Sequence, residues 1–116
     1  MYCSKEKPII ASELEKTDPT AGTVIADTGA ITAPGIYDII VTLSASVAAQ
    51  FSMQHRDVAN AASVTGSPAF GAFIVAGGVA QVRRRLFINE NERFRVVMDD
   101  SITGTAWVGI DAQRQH

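Results

Sequence analysis

Residues 35–45, GIYDIIVTLSA, decide the fold because their apolar side chains recur at every second position. Side chains in a β-strand point alternately to opposite faces, so this period predicts a strand with one buried face. That face carries Tyr37, Ile39, Val41 and Leu43. The opposite face carries Ile36 and Ile40 as well. We therefore expect something to cover the second face, and the simplest cover is another copy of the chain.

The same period continues along the chain in residues 47–56, 93–99 and 105–112, whereas residues 69–75 are more evenly apolar. Alternation of this kind predicts half-buried strands. Trp107 lies on the face opposite to Val108, so this strand too is apolar on both sides. We predict an inward-facing set of ten residues: Ile39, Val41, Leu43, Phe51, Met53, Phe94, Val96, Met98, Val108 and Ile110.

Turn-forming residues separate these strands, among them Pro34-Gly35, Gly77-Gly78 and the Asn-Glu-Asn-Glu run at 89–92. Short strands with turn signals at such spacing predict an antiparallel sandwich or barrel. No long amphipathic helix interrupts them, so helix should account for less than about a fifth of the residues. The predicted fold class is all-β, an antiparallel β-sandwich formed by residues 23–116.

The first 22 residues differ from the rest because they are charged and interrupted by Pro8 and Pro19. We interpret residues 1–22 as an extended N-terminal arm. Ser12 and Glu15 have capping-box spacing, which predicts one helical turn. The arm could lie over another subunit or pack on its own domain. Its apolar residues are candidate contacts with a partner: Ile9, Ile10 and Leu14.

Length and charge restrict the possible functions. The chain has 116 residues and a net charge of −2, which fits one domain and gives no overall attraction to nucleic acid or to an anionic membrane. Residues 1–16 lack the apolar core of a signal peptide, and Cys3 is the only cysteine, so no internal disulfide can form. We expect an unexported protein whose partners are proteins, with no nucleic acid and no membrane among them.

Three consecutive arginines, Arg83, Arg84 and Arg85, are the strongest local charge feature. If residues 82–88 form a strand, Arg83 and Arg85 share one face, and Arg84 points to the other with Val82, Leu86 and Ile88. The run is then split between two faces. We expect at least one arginine to pair with a protein carboxylate or carbonyl, because the guanidinium fork suits interface contacts. The alternatives are a solvated strand face and a nucleic-acid patch. The candidate carboxylates are Glu90, Glu92, Asp99, Asp100 and Asp111, or those of another chain.

No residue pattern indicates catalysis, a cofactor or a metal. His55 and Asp57 are close in sequence to Ser52, but neighbouring strand residues diverge and do not make a triad. The glycines at 66, 71, 77 and 78 do not form a phosphate loop followed by a helix. Trp107 could stack on a sugar, but on a strand it favours packing across a sheet or a subunit contact. We therefore expect a protein that is not an enzyme.

Two stretches, residues 33–64 and 84–113, resemble small bacteriophage virion proteins with a jelly-roll domain, of the capsid-decoration and head-fibre type. More distantly, they resemble the trimeric jelly rolls of the tumour necrosis factor and complement globular-head superfamily. The Gly35-Ile36-Tyr37 strand start, a late hairpin over residues 86–98 and a closing strand over 104–112 carry the resemblance. It covers about three quarters of the chain and excludes the arm.

The resemblance implies a self-associating virion component. It predicts a capsid decoration or cement protein, made in the host cytoplasm and located on the capsid surface, with itself as a homotrimer and the major capsid protein as partners. The shell contact would use the arm and one end of the sandwich. The alternative is a host-recognition or glycan-binding module of a head or tail fibre. Candidate interface residues are Arg83, Arg84, Arg85, Trp107, Tyr37, Ile9, Ile10 and Leu14.

Overall fold

A computed structural model describes the backbone of residues 9–64 and 70–115, and the side chains in these ranges from Lys16 onward. Within them the chain forms eight strands: β1 (Ile9–Thr17), β2 (Val24–Asp27), β3 (Gly35–Ala45), β4 (Ala49–Arg56), β5 (Phe70–Ile74), β6 (Val79–Ile88), β7 (Arg93–Met98) and β8 (Thr105–Arg114). No helix in these ranges is long and apolar enough to cross a membrane. The prediction of an all-β fold is confirmed.

The strands form two four-stranded antiparallel sheets that pack face to face. The first sheet has the order β1-β8-β3-β6, and the second has the order β2-β7-β4-β5. The chain passes from one sheet to the other at every connection except that between β4 and β5. Two packed sheets with this order and eight strands define a jelly roll. The predicted β-sandwich is therefore confirmed, with a specific strand order.

The core lies between the sheets and consists of the inward-facing positions of both. All ten residues of the predicted inward set are buried. The alternation is complete in β3 and β4, where every second side chain is buried. Hydrophobic burial of this kind is the main favourable contribution to the folding free energy. The strand phase inferred from the sequence is correct.

The N-terminal segment differs from the prediction. Residues 9–17 form β1, which pairs with β8 of the same chain and has an irregular register between Ala11 and Leu14. The predicted helical turn from Ser12 is therefore wrong, and the sandwich begins before Thr23. The segment packs on its own domain, which was one of the two arrangements left open. Residues 1–8 lie outside the described part of the chain.

The predicted late hairpin over residues 86–98 is also wrong, because β6 belongs to the first sheet and β7 to the second. The connecting turn closes with a hydrogen bond from the Glu92 N–H to the Asn89 carbonyl at 3.1 Å. Asn91 has a positive φ of 69°, a conformation that asparagine tolerates better than most residues. The turn signal was real, but it marks a crossing between sheets.

Candidate interaction surface

The outward side of the first sheet carries exposed apolar side chains, and we call it the apolar face. Ile36 and Phe87 are neighbours across β3 and β6 and are 45% and 57% exposed. At the other end of the face, Val79 is 71% exposed. Ile40 in the centre and Trp107 on β8 are half-buried. These exposed apolar side chains make the outward side of the first sheet a candidate interaction surface.

Trp107, one of the predicted interface residues, lies on this face, and its ring extends over Gly109 on the same strand. A Cβ atom at position 109 would lie 3.3 Å from Cη2 of Trp107, which is a tight contact. Glycine at this position therefore allows the indole to lie close to the sheet. The arrangement produces a broad aromatic surface with a polar N–H, which suits a contact between proteins.

The three arginines are divided between two faces, as the period predicted. The β3–β6 register sets Arg83 opposite Ile40 and Arg85 opposite Asp38 on the apolar face, and Arg84 opposite the buried Ile39. Arg85 donates two hydrogen bonds to Asp38, at 2.8 and 3.2 Å. The two hydrogen bonds lower the pKa of Asp38. The same bonds, together with the negative charge of the carboxylate, raise the pKa of Arg85.

The carboxylate that pairs with Arg85 is Asp38, which is not one of the candidate partners named from the sequence. Those residues were close in sequence, whereas Asp38 lies 47 positions away and reaches Arg85 because β3 and β6 are neighbours. The prediction that at least one of the three arginines pairs with a carboxylate is confirmed. Asp38 was not among the candidate carboxylates, because sheet pairing and not sequence distance sets this contact. Pairing of the other arginines with a carboxylate of another chain stays a prediction.

Arg84 lies at the edge of the sandwich where β6 of the first sheet approaches β5 of the second. Its guanidinium carbon is 4.2 Å from the centre of the Phe70 ring, and its Nη1 donates to the Arg83 carbonyl at 2.9 Å. Contact between a guanidinium and an aromatic face is favourable, more so when partly desolvated. Arg84 therefore covers an open edge of the core. The expected buried carboxylate partner is absent among the described residues, and Arg84 is exposed.

The remaining predicted interface residues do not present side chains on the apolar face within the described part. Tyr37 is buried in the core, and its hydroxyl donates to the Ala33 carbonyl. It therefore offers no side-chain surface to a partner. Ile9, Ile10 and Leu14 have backbone partners in β8, and their side chains lie outside the described set.

The middle of the apolar face contains a polar depression of ≈ 430 Å³. Its lining includes Asp38, Ile40, Arg83, Asp111, Gln113 and Arg114. No aromatic side chain lines it. Apart from Ile40, the apolar residues thus lie toward the two ends of the face, and charged and amide groups lie between them.

The outward side of the second sheet, which we call the polar face, differs in composition. Its side chains bond to one another: Arg95 to Gln54 at 2.8 Å, Ser52 to Asp99 at 2.7 Å, Arg93 to Asp27 at 3.2 Å and Arg56 to Asn60 at 3.1 Å. Partial burial and then the neighbouring Arg56 lower the pKa of Arg95. Phe73, at the β5 edge, is an exposed aromatic residue on this side.

A buried polar pair was not predicted from the sequence. Nε2 of His55 lies 2.8 Å from Oε1 of Glu92, and both residues are buried. Glu92 also accepts the Asn89 N–H at 2.8 Å. Burial alone would raise the pKa of Glu92, but the Asn89 and His55 hydrogen bonds outweigh it and lower the pKa overall.

Both side chains of this pair are almost fully buried, and they join β4 to the turn before β7. Ser52 instead bonds to Asp99, and Asp57 accepts the Ala61 N–H, so neither forms a triad with His55. The two partners are 37 residues apart. No local sequence signal joins them, because only the meeting of β4 with the turn before β7 brings them together. Among the described residues, no group of three or more His, Cys, Asp or Glu could hold a metal ion.

Comparison with known proteins gives a likeness of fold. No model of a known protein family matches the sequence. A search of curated proteins also found no match. Among solved structures, the globular domain of zebrafish complement 1qA protein matches with a TM-score of 0.57 and 11% identity, over 94% of this chain and 95% of that one. The fold is shared.

Two further structures match at similar identity. An exo-beta-1,3-galactanase from Phanerochaete chrysosporium, solved with galactose, has a TM-score of 0.53 and 10% identity, over 95% of this chain and 30% of the galactanase chain. A chain of the Israeli acute paralysis virus particle has a TM-score of 0.46 and 10% identity, over 91% and 70%. The expected resemblance to complement globular heads is thus confirmed for the fold, and at these identities for the fold alone.

Proposed function

We propose that this protein is a non-catalytic structural component of a bacteriophage virion, which decorates and stabilises the capsid as a homo-oligomer, most simply a trimer. The observation that carries the proposal is the contrast between the two outward sides of the jelly roll. One side has paired polar groups, and the other has exposed Ile36 and Phe87 at one end and exposed Val79 in the same row as half-buried Trp107 at the other. A surface of the second kind is stable in water when another molecule covers it.

A second copy of the chain is the occupant that we assign to the apolar face. The face spans β3, β6 and β8, and its β6 side and its β8 side can each pack on a neighbouring copy around a rotation axis, without a groove. Its apolar ends surround charged residues of both signs, which a like copy can pair with. A jelly roll that associates in this way leaves its polar face, its loops and its strand ends available for the capsid.

Capsid stabilisation would follow from linked binding. A protein that binds only the assembled shell shifts the equilibrium toward that shell, by about 2.7 kcal/mol per site when its free concentration is 100 times Kd. An oligomer adds avidity, because the second and third contacts form at a high effective concentration. Neither effect requires a catalytic residue, a cofactor or a metal.

The test is made with the virion. Purified particles should contain the protein in many copies distributed over the head, as counted by quantitative mass spectrometry and located by cryo-electron microscopy. Adding purified protein to shells that lack it should produce co-sedimentation and a higher shell melting temperature. A few copies located only at a tail or fibre tip, with no binding to shells, would contradict the proposal.

A second candidate function is glycan binding, and the polar depression is the observation that favours it. Asp38, Asp111 and Gln113 supply the carboxylate and amide groups that hydrogen-bond to sugar hydroxyls. The depression lacks an aromatic wall, on which sugar rings commonly stack. Saturation-transfer NMR with a panel of bacterial surface oligosaccharides distinguishes the two functions, because decoration predicts no transfer to any sugar.

A further inference from the structure

The centre of the apolar face holds two charges of opposite sign, one on each side of Ile40. The sheet register pairs Ile40 with Arg83 on β6 and with Asp111 on β8. All three side chains line the same depression. Arg83 and Asp111 are therefore in one row across the sheet, separated by two strand spacings of about 4.8 Å each.

Both charges are without a bonded partner among the side chains that the structure describes. Arg85, the other arginine on this face, forms an ion pair with Asp38. The positive charge of Arg83 helps to lower the pKa of Asp38 through space. The Arg83 side chain forms no ion pair or hydrogen bond with a described residue. Asp111 is exposed and likewise forms none with a described side chain. Strand β6, at one edge of the sheet, thus carries an available cation, and β8, on the other side of β3, carries an available anion.

From this placement we infer that Arg83 of one copy pairs with Asp111 of the next, and that this pair sets the relative orientation of the copies. The inference rests on the self-association proposed above. A rotation axis that is parallel to the strands and lies above β3 brings β6 of one copy against β8 of its neighbour, so opposite charges meet. An axis that runs across the strands would bring β6 against β6, and Arg83 would face Arg83.

Charge placement of this kind chooses between orientations more than it adds affinity. Desolvation offsets much of the attraction in a buried ion pair, whereas like charges in contact are strongly unfavourable. The apolar residues of the face therefore supply the affinity, and the Arg83–Asp111 pair excludes the antiparallel arrangement. The copies associate with their strands running parallel, which a closed ring of two, three or more copies can satisfy.

Charge reversal is the direct test of the pairing. Arg83→Glu and Asp111→Arg should each weaken self-association by about tenfold or more, because each places like charges in contact. The double variant Arg83→Glu/Asp111→Arg keeps the net charge of the chain and should restore association to within about threefold of the original. Dissociation constants come from sedimentation velocity over a dilution series. The control is Arg84→Glu, the same change on the same strand but away from the apolar face, which should leave association unchanged.

Cross-linking tests the orientation separately. In a Cys3→Ser background, the Arg83→Cys and Asp111→Cys chains are mixed and treated with a short thiol-reactive cross-linker. The mixture should give cross-linked pairs, and the Arg83→Cys chain alone should give none. Efficient cross-linking of Arg83→Cys chains to one another would overturn the inference.

Failure of the inference can be separated from failure of the proposed function. If the original chain associates and single charge reversals have no effect, or the double variant fails to recover, the pairing is wrong and the apolar face remains the contact surface. If the original chain is monomeric at every concentration, the proposed self-association is itself wrong.

Discussion

The two outward sides of the sandwich differ in how their side chains are satisfied. On the polar face, Gln54 bonds to Arg95 and Ser52 bonds to Asp99, so these groups are paired within one copy. On the apolar face, exposed Phe87 and half-buried Trp107 accompany Arg83 and Asp111, which have no bonded partner among the described side chains. The polar face thus pairs most of its polar groups within one chain, apart from Arg93 Nε, and exposes Phe73, whereas the apolar face is the side to which we assign a second copy.

The largest effect should come from Ile40→Glu, at the centre of the apolar face. A carboxylate placed there would lose its hydration when two copies meet, and it would compete with Asp111 of the neighbouring copy for Arg83. We expect self-association to weaken by at least about 100-fold, about 2.7 kcal/mol. The folded monomer should persist, because Ile40 points away from the core. Sedimentation velocity measures the first effect and circular dichroism the second. An Ile40→Glu chain that associates normally would contradict the assignment of the apolar face as the contact surface between copies.

A change inside the sandwich that touches neither face should alter stability without altering association. Glu92→Gln removes the charge that bonds to His55 and to the Asn89 N–H. Losing bonds to a buried charged group should cost about 1–3 kcal/mol of unfolding free energy at pH 7. Thermal denaturation followed by circular dichroism measures it, with exposed Glu90→Gln in the same turn as the control.

The pH dependence of that stability has a defined sign. The pKa of Glu92 is lowered in the folded state, so the carboxylate contributes stability above its ordinary value of 4.5. This contribution is lost as the pH falls through the lowered pKa. The difference in melting temperature between the original chain and Glu92→Gln should be greatest above the ordinary pKa of 4.5 and should shrink as the pH falls through the lowered pKa. A difference that grows in acid would contradict the assignment.

Gly109→Ala should have a smaller effect, confined to the apolar face. The added methyl would lie 3.3 Å from the Trp107 ring and should displace it by a few tenths of an ångström. Association should weaken by less than about tenfold, since one contact is moved and none is lost. Trp107 is the only tryptophan, so fluorescence emission reports the displacement directly. Thr42→Ala, one strand away in the same row, is the control and should leave the emission unchanged.

The smallest effect should come from Gln54→Glu on the polar face. This change introduces the same charge as Ile40→Glu, at a position on the central strand of the other sheet. The new carboxylate would meet Arg95, which already bonds to Gln54 at 2.8 Å. We expect no change in self-association and at most a slight gain in stability, in the same two assays. A large loss of association would show that both faces take part.

Much of the sandwich could be predicted because a period of two is a local property. It placed Ile39, Val41 and Leu43 in the core, and it separated Arg84 from Arg83 and Arg85. It also put apolar residues on the outward side of β3, which is the origin of the apolar face. Strand phase follows from neighbours two positions away, and the sequence shows these directly.

The rest could not be predicted because it depends on contacts between distant residues. Asp38 meets Arg85 and His55 meets Glu92 only after the sheet order is set. Residues 9–17 favour no strand by composition, and pairing with β8 decides their structure. The turn at 89–92 has hairpin residues, yet it connects different sheets. Local sequence patterns therefore predicted which face of a strand each side chain lies on. The partner of each side chain depends on long-range strand pairing, which these patterns do not show.

The most direct test of the central claim, that the apolar face is a contact surface between copies, is the solution mass of the original chain. Light scattering coupled to size-exclusion chromatography should return a multiple of the chain mass of 12.3 kDa, three times this value for a trimer. On dilution the mass should fall toward that of one chain, and Trp107 emission should shift to longer wavelength as its ring becomes exposed. A mass of one chain at every concentration, with constant emission, would contradict the account.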